Sequence, residues 1–138
     1  MIIQIIGLPG AGKTALAKSI KEHIEAIHLN ADEVRSTINS DLGFSIKDRI
    51  EQSRRMGEMA RLLSNQNYNV IVDFVCPTND TRKAFGKPDV LIWVDRITLS
   101  RYKDTNILWE SPQNFDILVS SGMTIEEEVQ LVLRSINV

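Results

Sequence analysis

The chain has a single cysteine, Cys76, so no internal disulfide can staple it. It has little net charge: 16 Lys and Arg against 18 Asp and Glu leave −2 at neutral pH. No global field therefore draws it to nucleic acid or to a membrane surface. No apolar run reaches the length of a membrane span. Pro/Gly/Ser-rich linkers, internal repeats and low-complexity tracts are missing as well. Met1 leads straight into a strand-like run with no basic segment and no small-residue cleavage site, which reads against a secretory leader. These absences leave an ordinary globular composition, with 43% apolar and 25% charged residues in a chain of 138. They predict one domain, residues 1–138, in the cytoplasm.

The positive content is concentrated in Gly7-Leu8-Pro9-Gly10-Ala11-Gly12-Lys13-Thr14, which fits G-x-x-x-x-G-K-[ST] at every fixed position. Ahead of it, Met1 to Ile6 is an Ile-rich run of strand length. Behind it, Leu16, Ile20 and Ile24 recur every four residues, as on one face of a helix. A strand, a Gly-rich turn and a helix in that order make a phosphate cradle. The glycines let the backbone approach closely and aim N–H groups at anionic oxygens, and the helix N-terminus adds partial positive charge. In this reading Lys13 contacts the β- and γ-phosphates of ATP, and the Thr14 hydroxyl ligates Mg²⁺. The alternative is a glycine turn that merely carries a lysine; the specific motif and its place between strand and helix favour the cradle.

Ala26 to Asn30 predicts a short strand, and Ala31 to about Asn39 a helix. Asp32 then stands at a strand's C-terminal end or in a helix's first turn. There it would hold Mg²⁺ through water, take a proton from an acceptor hydroxyl, or only cap the helix. Ser45 reads as the N-cap of a long helix from Ile46 to about Gln66. Its inner stripe is Ile46, Ile50, Ser53, Gly57 and Ala60, widened by Met56, Met59 and Leu63. At its start, Arg49 and Gln52 lie one turn apart, close to Phe44. An exposed Phe44 with that arginine could clamp an adenine-type ring and a sulfate or phosphate; a buried staple is the other reading of the Phe.

Val70 to Val75 predicts a buried strand carrying Asp73, a hydrophobic run closing on an acid of the kind that holds a Mg²⁺ shell. An aspartate there is costly to bury unless paired. A loop or short helix after Cys76 carries Arg82 and Lys83, which either meet substrate anions or are solvated surface. Asp89 to Asp95 is another buried strand. From Thr98 to Gln113 no period is visible. That stretch holds Arg101, Tyr102, Lys103, Asp104 and Trp109, and stands where small P-loop kinases keep a closing lid or base-binding loop, which places Arg101 at the nucleotide. Phe115 to Val119 is a last short strand. Thr124 and Glu127 form a capping box for a helix whose inner stripe is Ile125, Val129, Val132 and Ile136. His23 and His28 are not spaced as metal ligands and read as ordinary residues. The alternation β-α-β-α-α-β-α-β-β-α predicts an α/β P-loop NTPase fold, a parallel five-stranded sheet with helices on both faces.

Beyond the phosphate loop, the chain resembles the adenylylsulfate kinases, which phosphorylate the ribose 3′-hydroxyl of adenosine 5′-phosphosulfate with ATP. Asp41 to Glu58 is similar to that family's D-L-G-F-S-x-x-D-R-x-E-N-x-R-R-x-x-E signature, with Gln52 in place of the Asn. Asn30-Ala31-Asp32-Glu33-Val34-Arg35 resembles D-G-D-N-V-R, keeping the second Asp and the Arg but not the first Asp. Phe74 to Arg82 resembles F-I-S-P-Y-R-x-x-R, keeping the Phe, the Pro and the last Arg. The likeness covers about residues 1–95 and resumes weakly over 111–116. It implies ATP and Mg²⁺ as cofactors and Asp32 as base or metal-side acid. It also implies an adenylylsulfate site drawing on Arg35, Phe44, Arg49, Gln52, Phe74 and Arg82. The implied partner is a small anionic nucleotide rather than nucleic acid or membrane, and a homodimer stays open.

The family's basic K-G-L-Y-type lid is missing, the stretch from Arg96 to Glu110 is short, and Asp73 stands where the family has a small residue. The last points to Mg²⁺ handling as in other small-molecule kinases, with Asp73 and Thr14 as the metal side. Two other readings stay open: a kinase for another nucleotide, nucleic-acid end or metabolite hydroxyl, and a nucleotide-binding regulator with little turnover.

Overall fold

The computed structural model describes residues 1–137. In chain order the elements are β1 (Ile2–Ile6), α1 (Lys13–Lys21), β2 (Ile27–Asn30), α2 (Ala31–Ser36), α3 (Ile46–Ser64), β3 (Val70–Asp73), α4 (Asn79–Phe85), β4 (Val90–Asp95), α5 (Lys103–Leu108), β5 (Ile117–Ser120) and α6 (Ile125–Ser135). The five strands form one sheet in the order β2-β3-β1-β4-β5, and every pairing is parallel. This is the α/β P-loop NTPase fold that the alternation of elements predicts.

β1 is central, and its alternation explains the two-sided core. Ile3 and Ile5 pack on one face against Leu16, Ala17 and Ile20 of α1 and Val129, Val132 and Leu133 of α6. Ile2 and Ile6 pack on the other against Met56 and Ala60 of α3 and Phe85 of α4. A parallel strand covered on both faces reads as a continuous apolar run, which is what Met1 to Ile6 is. Gln4 is the buried exception and donates to the Cys76 sulfur at 3.7 Å. Burial pushes the Cys76 thiol up to about 11, so it is a packed residue and not a nucleophile.

Several boundaries differ from the sequence expectation. α2 stops at Ser36, short of Asn39: the Ser36 and Thr37 hydroxyls both turn back onto the Glu33 carbonyl, at 2.9 and 2.7 Å, and compete with continued helix. α3 is rotated relative to the expected stripe. Its buried residues are Arg49, Gln52, Ser53, Met56, Gly57 and Ala60, while Ile46 is 62% exposed. The aperiodic stretch after β4 contains α5. A six-residue helix is too short to show a period. Both expected caps form: Ser45 accepts from the Asp48 N–H, and Thr124 with Glu127 closes a capping box. No described helix is long and apolar enough to cross a membrane.

Candidate active site

The site is a cleft of about 590 Å³ at the C-terminal ends of β1, β2 and β3, where ligands bind in open parallel sheets. Its floor is the turn between β1 and α1. Gly10 and Gly12 adopt φ of +83° and +100°, which costs a glycine nothing and bends successive N–H groups inward. Gly12 is also the N-cap of α1 and makes no side-chain cap, so the first-turn N–H groups of a nine-residue helix are left to face a ligand. Nothing lies within 4 Å of a Cβ built on Gly10, so the space above the loop is open. Gly7 serves another purpose: its Cβ would stand 2.6 Å from the Val94 carbonyl of β4, so the loop can leave the sheet only through a glycine.

Lys13 is buried and donates to the Leu8 carbonyl at 2.9 Å, folding back over its own loop. Burial, opposed by the nearby Asp73 and Asp32 carboxylates, lowers its pKa from 10.5 to about 8. The folded protein thus releases this proton at lower pH than the unfolded chain. Between about pH 8 and 10.5 the unfolded chain binds more protons, so this lysine makes stability rise with pH over that window. Thermal melts of the nucleotide-free protein should show this contribution as a difference from Lys13→Ala that shrinks from pH 8 to 10. A pH-independent difference would count against it.

Asp73 is the last residue of β3 and is 2% exposed. A buried carboxylate needs partners, and it has three. Thr14 donates its hydroxyl at 3.0 Å, the Asn30 amide lies 3.3 Å from both carboxylate oxygens, and His28 bonds Oδ2 through Nε2. Asn30 is the direct register partner of Asp73 in the parallel ladder, and His28 lies two residues back on the same face of β2. His28 is therefore part of the site and not the ordinary residue that its spacing suggested. The signal was the i, i+2 relation of His28 to Asn30, legible only once β2 is paired beside β3.

A hydroxyl and one buried carboxylate 3.0 Å apart at the foot of a phosphate loop fit Mg²⁺, which takes hard oxygen donors and leaves most positions to phosphates and water. Among the described residues no group of three or more His, Cys, Asp or Glu is placed to hold a metal by itself. The open, N–H-lined loop likewise fits a polyphosphate.

Asp32 lies in the first turn of α2, exposed, with its residue lining the cleft. It does not cap α2. Asn30 does, accepting from the Glu33 N–H at 3.1 Å, which leaves the Asp32 carboxylate available.

The far wall is the turn before α3, wired by its own side chains. Gly43 donates its N–H to Asp48 at 2.8 Å and accepts from Arg35 at 2.7 Å. Arg49 Nε donates to the Phe44 carbonyl at 2.9 Å. Asp41 takes a two-point contact from Arg55 at 2.8 and 3.0 Å. Held this way, Phe44 is 63% exposed and lines the cleft, so the buried staple does not form. The Arg35 guanidinium lies 4.4 Å from the ring centroid and that of Arg49 5.6 Å. Burial and the nearby Arg49 charge push the Arg35 guanidinium down from its ordinary value.

The cleft also takes in Phe74, Arg101, Tyr102, Asp104 and Thr105. Arg101 reaches it from the segment before α5 and stacks on Tyr102 at 5.1 Å. Other expected residues stand elsewhere. The Leu8 and Ala11 side chains are buried, Gly7 lies beneath the loop, and Arg35 backs Phe44; none of these lines the cleft. Gln52 is buried away from it, accepting from Asn39 at 2.8 Å. Arg82 donates to the Cys76 carbonyl at 3.1 Å and stacks over Trp109.

A family model described as adenylylsulphate kinase matches residues 1–92. The bifunctional enzyme CysN/CysC of Xylella fastidiosa is 37% identical over 87 residues, which is 59% of this chain and 14% of that one. The adenylyl-sulfate kinase of Clostridium acetobutylicum is 29% identical over 132 residues, 88% of this chain and 66% of that one. The chain thus spans less than two thirds of either relative. Among solved structures, the Mycobacterium tuberculosis APS kinase CysC in complex with AMPPNP and APS superposes with a TM-score of 0.88 at 23% identity, covering 99% of this chain and 97% of that one, a likeness of fold.

Proposed function

The chain belongs to the adenylylsulphate kinase family, and from that premise we propose that it transfers the γ-phosphoryl group of ATP to the 3′-hydroxyl of adenosine 5′-phosphosulfate. One observation carries the proposal: a single cleft joins the phosphate loop and Thr14–Asp73 pair to Asp32 and the Phe44–Arg49 wall. The first set suits a nucleoside triphosphate. The second suits an acceptor with a flat base and an anionic tail.

The loop N–H groups and the α1 N-terminus bind the phosphates, and the Lys13 ammonium stabilises charge that builds on the transferring group. Thr14 and Asp73 would hold Mg²⁺, which would supply neutralisation of phosphate charge. His28 and Asn30 fix the Asp73 carboxylate so that it needs no reorganisation. Asp32 orients the acceptor hydroxyl and takes its proton as the new O–P bond forms. Phe44 stacks on the base with Arg35 behind it, and Arg49 meets the anionic end.

Purified protein with Mg·ATP is expected to release ADP only when adenosine 5′-phosphosulfate is added, with 3′-phosphorylated product found by chromatography. Acceptor-independent ADP release, or no product at saturating ATP, would remove adenylylsulfate as the substrate and leave the family membership standing.

A further inference from the structure

We propose that Asp104 of α5 is a specificity-determining residue of the acceptor site: it holds the Arg49 nitrogen common to both two-point modes of oxyanion binding, so that an anionic acceptor competes with it. The inference rests on the acceptor reading of Arg49 given above. Arg49 has little freedom. Its Nε is committed to the Phe44 carbonyl at 2.9 Å, and its Nη2 donates to Asp104 Oδ2 at 3.2 Å and to Thr105 Oγ1 at 3.3 Å. A planar guanidinium offers two bidentate forks, one end-on through Nη1 and Nη2 and one side-on through Nε and Nη2. Both run through Nη2. Nη2 has two N–H groups, and Asp104 and Thr105 together engage them, so a sulfate or phosphate group that takes Arg49 in two-point fashion displaces one of these contacts; Thr105 is buried, and the exposed Asp104 carboxylate is the one that water can receive.

The two partners of this bridge are unequal. The Arg49 side chain is 9% exposed and that of Asp104 68%. Released from Arg49, the carboxylate returns to water at little cost, whereas Arg49 stays buried and needs a replacement anion. An acceptor that brings an oxyanion completes the exchange. A neutral nucleoside offers Arg49 nothing and leaves α5 where it is.

The exchange would be felt along α5. Beyond its C-terminal end the segment is anchored on the turn before α4: the Glu110 N–H donates to the Pro77 carbonyl at 2.7 Å, and the Glu110 carboxylate accepts from the Asn79 N–H at 3.0 Å. At its N-terminal end the cross-wall contact is Asp104 and Thr105 on Arg49. The short helix is thus tethered at one end and latched at the other, and the latch is the acceptor's own binding group.

The test pairs binding with amide hydrogen exchange on the full chain. Asp104→Asn should bind adenosine 5′-phosphosulfate about three- to fivefold more tightly than the unsubstituted protein, the size of an exposed ion pair removed as competitor, and should bind adenosine unchanged. Equal or weaker binding of adenosine 5′-phosphosulfate overturns the proposal. Asp104 also lies in the first turn of α5, where its charge favours the helix on its own. The exchange rates of residues 103–108 separate the two effects: Asp104→Asn should raise them severalfold, but not further when combined with Arg49→Gln. An equal rise in both backgrounds means a helix effect and no latch. Inorganic sulfate, against chloride at matched ionic strength, should also raise exchange over 103–108, and failure to do so overturns displacement by an oxyanion. If neither protein binds adenosine 5′-phosphosulfate, the acceptor reading falls, and the sulfate measurement still decides the latch.

Discussion

Replacing Lys13 with Ala is expected to lower kcat for phosphoryl transfer by about a thousandfold or more, with the fold intact. The ammonium is buried at the base of the loop, and on the proposed function it meets the negative charge that accumulates as the γ-phosphoryl moves. An alanine leaves no positive charge at that place, so the stabilisation is lost. The folded protein should not suffer, because burial already disfavours this charge and pulls its pKa down to about 8. Thermal melting at pH 7 should therefore be unchanged or slightly raised in Lys13→Ala. The pairing of a collapsed kcat with an undiminished Tm distinguishes a chemical role from a structural one. Substantial kinase activity in the variant would refute the assignment of the loop.

The second large effect concerns stability and lies away from the cleft. A Cβ on Gly57 would stand 2.1 Å from the Phe85 carbonyl oxygen and 3.0 Å from Arg61 Nη2. The first of these is backbone and cannot swing aside. It is also the acceptor of Arg61 Nη1 at 2.6 Å, so separating the helices breaks that bond as well. Gly57→Ala should cost about 3 kcal/mol or more and lower Tm by about 10 °C, although alanine is the better helix former. Circular dichroism melts decide the matter: a change below about 2 °C would mean that α3 and α4 part easily. Activity per folded molecule should persist, since neither helix contributes its Gly57 end to the site.

The contrast between these two residues shows what the sequence reveals and what it hides. The phosphate loop was legible because its chemistry is local: eight consecutive residues, a strand before and a helix after, all fixed by spacing. The five-strand, helix-covered architecture was legible for the same reason, each element carrying its own period. Gly57 appeared on the expected stripe of α3, but nothing in its neighbourhood announces that a carbonyl 28 residues later will press against it. The partners of Asp73 were hidden in the same way. Thr14 comes from α1 and Asn30 and His28 from β2, and only strand order brings them to one carboxylate on β3. The rotation of α3 was misjudged because Arg49 and Gln52 are polar yet buried. A hydropathy stripe turns such residues outward and draws Ile46 inward, whereas the specific bonds of Arg49 to Phe44 and of Gln52 to Asn39 do the reverse. α5 was invisible because six residues complete fewer than two turns.

The self-contained wiring of the turn before α3 bears on how such sites can be rebuilt. Arg35 to Gly43, Asn39 to Gln52, Asp41 to Arg55, Gly43 to Asp48 and Phe44 to Arg49 all close within residues 35–55. The segment is a cassette whose shape is stored in its own side chains and owes little to the phosphate loop across the cleft. Point changes inside it would break a partner elsewhere in the cassette, but a transplant of the whole segment carries these partners along and leaves the Arg49 contacts with Asp104 and Thr105 of α5 to be matched. On the proposed function, acceptor choice can then be rewritten largely in one block, with α5 adjusted to it, while the phosphate loop is inherited unchanged.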